Sequence, residues 1–165
     1  MKNNKVYFSN SIQGNRGENF EFGLKIVEYL KFLGFDILSE HVAQLDNKDR
    51  EKIFFKKTGI DRRRLEEREY CSITYKWEIK WVDKADYIVT IVNGSSYGVG
   101  MEIMRALTKE ERGFNRTKIV ALVREERIKF LSKLVKGAST EYSNFIIKKY
   151  TDLNSVKRIL RKELN

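Results

Sequence analysis

Asp86–Val92 (DYIVTIV) and the ten residues after it, Asn93–Glu102 (NGSSYGVGME), decide the fold. After the opening aspartate, the first segment is entirely β-branched or aromatic, which is typical of a buried strand. The second segment is a polar, glycine-containing loop that leads into a helix predicted over Val99–Glu111. A buried strand, a loop and a helix in this order form the repeating unit of a parallel α/β sheet.

The same alternation continues through the rest of the chain. Further strands are predicted at Lys5–Ser9, Phe35–Ser39, Lys118–Val123 and Phe145–Lys148. A helix is predicted where Phe20, Leu24, Val27 and Leu30 recur at helical spacing before a C-cap glycine, Gly34. Other helices are predicted at Ser72–Lys84, Glu126–Lys136 and Leu153–Leu164. We therefore predict an α/β fold, a Rossmann- or flavodoxin-like three-layer sandwich around a five-stranded parallel sheet.

Residues 46–69 form an insertion that is dense in charge and has few apolar anchors. Two interpretations stay open: one or two surface helices over the sheet edge that act as a lid, or a solvated insertion without function. The chain shows no repeat, low-complexity segment or linker rich in proline and glycine, so residues 1–165 are predicted to form a single domain.

Composition narrows the class of protein. The 165 residues carry a formal charge of +10 and a single cysteine, Cys71. One cysteine supports neither an intramolecular disulfide nor a cysteine-rich metal site, and no apolar run is long enough to span a bilayer. We expect a cytoplasmic protein without a metal or a membrane association. The positive and negative residues are interspersed, which favours a solvated basic surface over a nucleic-acid partner, although such a field also attracts anionic nucleotides.

Two loops are candidates for ligand binding, because ligands of open parallel sheets bind beyond the carboxyl ends of the strands. The first, Ser9–Gly17, offers hydroxyl and amide donors, glycines and the guanidinium of Arg16. These are the groups that a phosphate site needs. The alternative is an ordinary polar loop.

The second loop places Glu102 in the first turn of the predicted helix. The positive end of the helix dipole favours an ionised carboxylate there. Such a carboxylate could attack a sugar carbon with oxocarbenium character, as in retaining glycosidases. The alternative is an acidic residue that only stabilises the helix, and Ser95 and Ser96 are either phosphate donors or helix caps.

Two further side chains complete the candidate set. His41 is the only histidine and follows the second predicted strand, and Glu78 lies on a predicted helix between Trp77 and Trp81. On their own, a lone histidine is more often structural than catalytic, and a helical glutamate is usually only solvated.

Five segments, in order, resemble the nucleoside 2-deoxyribosyltransferase-like superfamily, most closely its 2′-deoxynucleoside 5′-phosphate N-hydrolases. They are Tyr7–Arg16 (YFSNSIQGNR), Ser39–Val42 (SEHV), Glu78–Asp86 (EIKWVDKAD), Ser96–Glu102 (SYGVGME) and Leu131–Ala138 (LSKLVKGA). The resemblance extends over nearly the whole chain apart from the charged insertion.

The resemblance implies a role for each matching residue. Glu102 would be the nucleophile that attacks C1′ and releases the base, Tyr7 and Glu78 would orient the sugar and the nucleophile, and His41 would lie near the base. The substrate would be a nucleoside 5′-monophosphate, and no metal or organic cofactor is implied. The substrate and its phosphate would be bound by Ser11, Ile12, Gln13, Gly14, Asn15, Arg16, Ser96, Gly98 and Gly100, with Ser132 contributed by the partner chain of a homodimer.

Two departures from the family pattern leave the substrate open. Glu78 stands where the family usually has aspartate, so the carboxylate is one methylene longer, and Gln13 replaces an arginine. The alternatives are a nucleoside 2-deoxyribosyltransferase, a hydrolase of ribonucleotides such as CMP, and a non-catalytic module that binds nucleotides or nucleic acid.

Overall fold

The computed structural model describes residues 4–11, 20–44 and 46–164. Its strands are β1 (Lys5–Ser9), β2 (Asp36–Ile37), β3 (Tyr87–Ile91), β4 (Lys118–Arg124) and β5 (Phe145–Tyr150). Its α-helices are α1 (Phe20–Phe32), α2 (Asn47–Thr58), α3 (Glu67–Lys84), α4 (Tyr97–Leu107), α5 (Lys133–Glu141) and α6 (Leu153–Glu163).

The five strands form one parallel sheet in the order β2-β1-β3-β4-β5. This is the flavodoxin-like order, and the predicted fold class is confirmed. Strands β1 and β3 are neighbours, with Tyr7 opposite Ile88 and Phe8 opposite Val89. The direction of winding reverses between these two strands, and such a switch point is where doubly wound sheets bind ligands.

Alternation along each strand divides the core into two layers, because successive side chains point to opposite faces of a sheet. Val6 and Phe8 of β1 pack with the apolar faces of α1 and α6. Tyr7, between them, lies in the other layer, with α2, α3, α4 and α5. The side chains on the second face include those of the candidate site.

Strand β2 is two residues long, whereas the sequence predicts a strand over Phe35–Ser39. The difference arises at Ser39, whose buried hydroxyl accepts from the amide of Phe8 at 2.8 Å and donates to its carbonyl at 2.6 Å. This side chain satisfies the backbone groups of β1 that a longer β2 would pair. The chain can therefore leave the sheet and form a 3₁₀ helix, Glu40–Ala43, which carries His41.

The helix predicted over Glu126–Lys136 is wrong. The chain forms a 3₁₀ helix over Glu125–Phe130, and α5 begins only at Lys133. Leu131 and Ser132 between them are extended, and the Ser132 hydroxyl accepts from the amide of Leu134 at 3.2 Å. A serine that caps a helix in this way ends the preceding segment and starts a new one.

Helix α4 begins earlier than predicted, at Tyr97, because the Ser96 side chain caps it by accepting from the amide of Val99 at 3.3 Å. It also ends earlier, at Leu107. Glu102 is therefore in the second turn, and its predicted place in the first turn is wrong.

The charged insertion contains α2, a 3₁₀ turn at Arg62–Arg64 and the start of α3. Its buried anchor is Phe54, which packs among aromatic side chains on the second face of the sheet. Within the described ranges, no helix has both the length and the apolar character that crossing a membrane requires.

Candidate active site

Two carboxylates meet at the hydroxyl of Tyr7. The phenol oxygen lies 2.5 Å from Oε2 of Glu78 and 2.7 Å from Oε1 of Glu102. Three elements bring these groups together: β1 carries the tyrosine, α3 carries Glu78 and α4 carries Glu102. Tyr7 has no solvent-accessible surface, so its hydroxyl is held at one place by the core around it.

Ser9 is a member of this cluster that the sequence analysis missed. Its hydroxyl donates to Oε2 of Glu102, and its side chain is buried. The signal was present in the sequence, since Ser9 lies two residues after Tyr7 in the same strand and side chains two apart share a face. Both oxygens of Glu102 are thus held by hydroxyl groups of β1.

His41 binds the other end of Glu78, with its Nε2 atom 2.7 Å from Oε1 of that carboxylate. The imidazole is buried and packs against the rings of Phe54 and Trp81, with centroids 5.4 and 5.5 Å away. Glu78, which replaces the family aspartate, therefore contacts both Tyr7 and His41.

Burial raises the pKa of Glu102 to about 7. The hydroxyls of Ser9 and Tyr7 donate to the carboxylate and lower its pKa, and the nearby negative charge of Glu78 raises it again. Loss of hydration is the largest of these effects. The sequence-based expectation that the start of the helix keeps this carboxylate ionised is therefore incomplete, because the dipole weakens beyond the first turn.

The pKa of Tyr7 is raised well above its ordinary value, first by burial and then by the two adjacent carboxylates. A phenol has one proton, so it can donate to only one of the two carboxylates at a time. The contact between the phenol and the other carboxyl group is favourable when that carboxyl group is protonated and donates to the phenol oxygen. Since the pKa of Glu102 is raised to about 7, the arrangement favours a proton shared between Tyr7 and Glu102.

An ion-pair cluster ties the two helices that carry the carboxylates. Arg105 of α4 donates to both oxygens of Asp83 on α3, at 2.9 and 2.5 Å, and Arg112 adds a contact at 3.2 Å. Two parallel bonds from a planar guanidinium fix orientation as well as distance. Asp83 lies five residues after Glu78, and Arg105 lies three residues after Glu102, so this pair restricts how far the catalytic candidates can separate.

The remaining predicted residues divide into three groups. Ser96, Gly98 and Gly100 lie in the cap and first turn of α4, and a Cβ atom added at Gly100 would meet nothing within 4 Å. Ser11 is buried just beyond β1, while Ser132 is exposed at the start of α5. The predicted phosphate-loop residues Ile12, Gln13, Gly14, Asn15 and Arg16 lie outside the described residues.

Across the described ranges, no group of three or more His, Cys, Asp or Glu side chains has the arrangement needed to hold a metal ion. The chemistry that the described groups themselves offer is acid–base and nucleophilic: two carboxylates, a phenol, a hydroxyl and an imidazole within one hydrogen-bonded cluster.

Replacing Glu102 by glutamine is expected to stabilise the protein above pH 7. The pKa of Glu102 in the folded protein is about 7, above its ordinary value of 4.5, so the native state binds the proton more tightly than the unfolded state. The wild-type free energy of unfolding therefore falls as pH rises from 4.5 to 7, whereas an uncharged glutamine has no such loss. We expect the Glu102→Gln advantage to grow over this window, to at most about 3 kcal/mol.

Urea unfolding at pH 4.5, 6 and 8 measures this difference. Glu111→Gln, which removes an exposed carboxylate outside the cluster, is the matched control and should show no such trend. A Glu102→Gln advantage that stays constant, or shrinks, between pH 4.5 and 8 would contradict a raised pKa.

Comparisons of the sequence and of the fold relate this chain to known proteins. No protein-family model matches the chain. A protein of Nematostella vectensis, provisionally named 2′-deoxynucleoside 5′-phosphate N-hydrolase 1, is 31% identical over 150 residues, which cover 90% of this chain and 86% of that protein. A Trichoplax adhaerens protein of the same provisional name is 29% identical over 150 residues, or 91% of this chain and 86% of that one.

Human 5-hydroxymethyl-dUMP N-hydrolase is 29% identical over 134 residues, which cover 81% of this chain and 65% of the human protein. Among solved structures, the CMP N-glycosidase BcmB of Clostridium botulinum superposes with a TM-score of 0.59 over 96% of this chain and 98% of that one. Its sequence identity is 16%, so this likeness supports the fold. The extent and identity of the sequence matches show that the chain belongs to the family of 2′-deoxynucleoside 5′-phosphate N-hydrolases.

Proposed function

We propose that this protein hydrolyses the N-glycosidic bond of a 2′-deoxynucleoside 5′-monophosphate and releases the free base and deoxyribose 5-phosphate. The observation that carries the proposal is the Glu102 carboxylate, held by two hydroxyls of β1 beside a second carboxylate at the switch point of the sheet. The names of the relatives support the same reaction and the same class of substrate.

The spacing of the carboxylates favours a covalent mechanism. Since one phenol oxygen contacts both, their nearest oxygens are at most about 5 Å apart. Retaining glycosidases have carboxyl groups about 5–5.5 Å apart, whereas inverting enzymes need about 6.5–9.5 Å to admit a water between them. The short spacing supports a carboxylate, rather than a water, as the group that attacks the sugar.

In the first step, an oxygen of ionised Glu102 attacks C1′ while the bond from C1′ to the base nitrogen breaks. The electron pair of that bond leaves with the base, which takes up a proton from water. In the second step, water attacks C1′ and gives up a proton, the ester bond to Glu102 breaks, and deoxyribose 5-phosphate is released. Tyr7 would hold the nucleophile throughout, Glu78 would hold Tyr7, and His41, which contacts Glu78, would lie near the base.

The 5′-phosphate would bind at the Ser11–Arg16 loop and at the start of α4. Open space at Gly100 and the N-terminus of α4 support this placement, because helix N-termini bind anions. Ser132, which is exposed at the start of α5, would reach the phosphate from a partner subunit of a homodimer.

Exposed apolar side chains support the homodimer. Tyr97, Met101 and Met104 lie on one face of α4 and are 97%, 57% and 52% exposed. Phe130 and Leu134, which flank Ser132, are 66% and 83% exposed. Large exposed apolar side chains that cluster on a surface are typical of an interface between subunits.

Incubation of the purified protein with deoxynucleoside 5′-monophosphates should release free base, measured by chromatography. Glu102→Gln is expected to lower kcat by about a thousandfold or more, since the attacking group is lost. Glu111→Gln, which removes an exposed carboxylate outside the cluster, should retain the wild-type rate. No base release from any nucleotide, or full activity of Glu102→Gln, would refute the mechanism.

The same assay separates the alternatives. Release from nucleosides without a phosphate, but only when a second base is present, would identify a 2-deoxyribosyltransferase. Faster release from CMP than from deoxynucleotides would identify a ribonucleotide hydrolase, the activity named for the structural neighbour.

Ser9→Ala is expected to move the acid limb of the pH–rate profile to higher pH. The nucleophile must be ionised, so kcat/KM should rise with pH around 7 in the wild type. The Ser9 hydroxyl lowers the pKa of Glu102 by donating to it, and its loss should shift the limb by about one to two pH units. Ser143→Ala, at an exposed serine, is the control, and an unchanged limb in Ser9→Ala would contradict the assignment of that limb to Glu102.

Mixing two inactive variants tests the placement of Ser132. If Ser132 acts across the interface, a heterodimer of Glu102→Gln and Ser132→Ala has one site with both native residues. We expect the mixture to recover activity, up to about half of the wild-type rate per heterodimer, when the subunits exchange. Failure to recover activity in a heterodimer verified by native mass spectrometry would show that Ser132 acts within its own subunit or not at all.

A further inference from the structure

A groove lies between α1 and α6, on the face of the sheet opposite the carboxylate cluster. It comprises two open volumes of about 580 and 510 Å³, and Tyr29 and Lys157 line both of them. Neither volume includes a residue of the proposed catalytic cluster, so the proposed hydrolysis leaves this surface without a role.

One wall of the groove is strongly cationic. Lys157, Arg158, Arg161 and Lys162 of α6 all line it. In the described ranges, none of these four side chains lies within 4 Å of a carboxylate oxygen. The acidic residues at the ends of α6 have other hydrogen-bond and ion-pair partners, although the charge of Arg158 also acts on Asp152. Asp152 caps the helix, and Glu163 pairs with lysines of β4 and β5.

The repulsion between the α6 cations favours the binding of an anion in the groove. The α6 cations are spaced four residues apart, Lys157 with Arg161 and Arg158 with Lys162, and like charges at this spacing destabilise a helix. On the opposite wall, α1 contributes Lys25, which pairs with Glu21, and the carboxylate of Glu28. A ligand that neutralises the α6 wall must therefore be anionic and must keep to the α6 side.

Aromatic side chains lie beside the cations. The ammonium of Lys157 is 5.3 Å from the ring centroid of Tyr29, and that ring stacks on Phe32 at 6.2 Å. Phe32 is 79% exposed, and the buried hydroxyl of Tyr29 has no hydrogen-bond partner in the described part of the chain. An exposed ring next to a row of cations offers a platform for a planar group attached to an anion.

We propose that this groove binds single-stranded nucleic acid, with phosphates on the α6 cations and a base stacked on Phe32. Sequence-tolerant binding of single strands combines a basic groove that follows the backbone with aromatic rings that stack the bases. A duplex keeps its bases stacked inside and has none to place on Phe32, and a flat anionic membrane does not enter a concave groove. The interspersed charge of the sequence argued against such a partner, but folding collects these cations on one wall.

Fluorescence anisotropy of a labelled single-stranded DNA 12-mer tests the proposal with the purified full-length chain. With four phosphate contacts, Kd should rise about 50-fold between 50 and 200 mM salt. The double charge reversal Arg158→Glu and Lys162→Glu should weaken binding at least tenfold at 50 mM salt. It should also reduce the salt effect to about sevenfold, because two contacts are lost.

The matched control reverses Lys52 and Lys56 of α2 to glutamate. These lysines are also exposed and four residues apart, but they lie on the other face of the sheet. Both double variants change the formal charge from +10 to +6, so a general effect of net charge would weaken both equally and would overturn the proposal. Circular dichroism establishes that each variant is folded.

Phe32→Ala tests the stacking contribution without altering charge. Because Phe32 is largely exposed, this substitution should leave the protein folded. We expect a loss of fivefold or more for the single strand and no loss for a duplex of the same sequence. Equal binding of the duplex, unaffected by Phe32→Ala, would overturn the proposal, as would groove-dependent binding to phosphatidylserine vesicles without binding of the 12-mer. Base release by Glu102 can fail or succeed independently of these results.

Discussion

The site depends on one phenol that contacts two carboxylates inside the protein. Tyr7 is fully buried in β1, and its oxygen lies within hydrogen-bond distance of both Glu78 and Glu102. Two negative charges this close in a poorly hydrated place repel each other, and the phenol proton can satisfy only one of them. The repulsion and the loss of hydration together raise the pKa of Glu102 into the neutral range. The cluster therefore lowers stability while it keeps a carboxylate near the point of ionisation, and such a cost is common at sites like the proposed one.

The fold supplies the constraints that keep this arrangement together. Strand β1 lies inside the sheet, between β2 and β3, and presents Tyr7 and Ser9 on one face, two residues apart. Helices α3 and α4 cross that face, and the pair of Asp83 and Arg105 ties them close to their carboxylates. A partly buried ion pair with two parallel bonds strongly restricts geometry. The rigid strand and the tied helices explain how three elements distant in sequence hold their functional groups within one hydrogen-bonded cluster.

The sequence predicted the sheet well because each strand is short, apolar and separated from the next by a helix. It placed Tyr7, Glu78, His41 and Glu102 in one set through family resemblance, whereas Ser9, which lies two residues after Tyr7 in the same strand, was not included in that set. Errors arose where a single side-chain hydrogen bond decides the outcome. Ser39 ends β2, Ser96 starts α4 two residues early, and Ser132 divides the helix predicted at Glu126–Lys136. Helix propensities summed over several residues do not show that a single hydroxyl will cap a helix.

The charged insertion contacts His41, and His41 in turn contacts Glu78, the residue that stands where the resembling family usually has aspartate. An aspartate at position 78 would be one methylene shorter, and the glutamate reaches Tyr7 with one oxygen and His41 with the other. The position of His41 is set by packing against Phe54 and Trp81, and Phe54 comes from α2 within the insertion. Since aromatic packing fixes the imidazole and the imidazole fixes one carboxylate oxygen, α2 contributes to the geometry of Glu78. The length of the side chain at position 78 and the packing of α2 therefore both bear on the contact between Glu78 and His41.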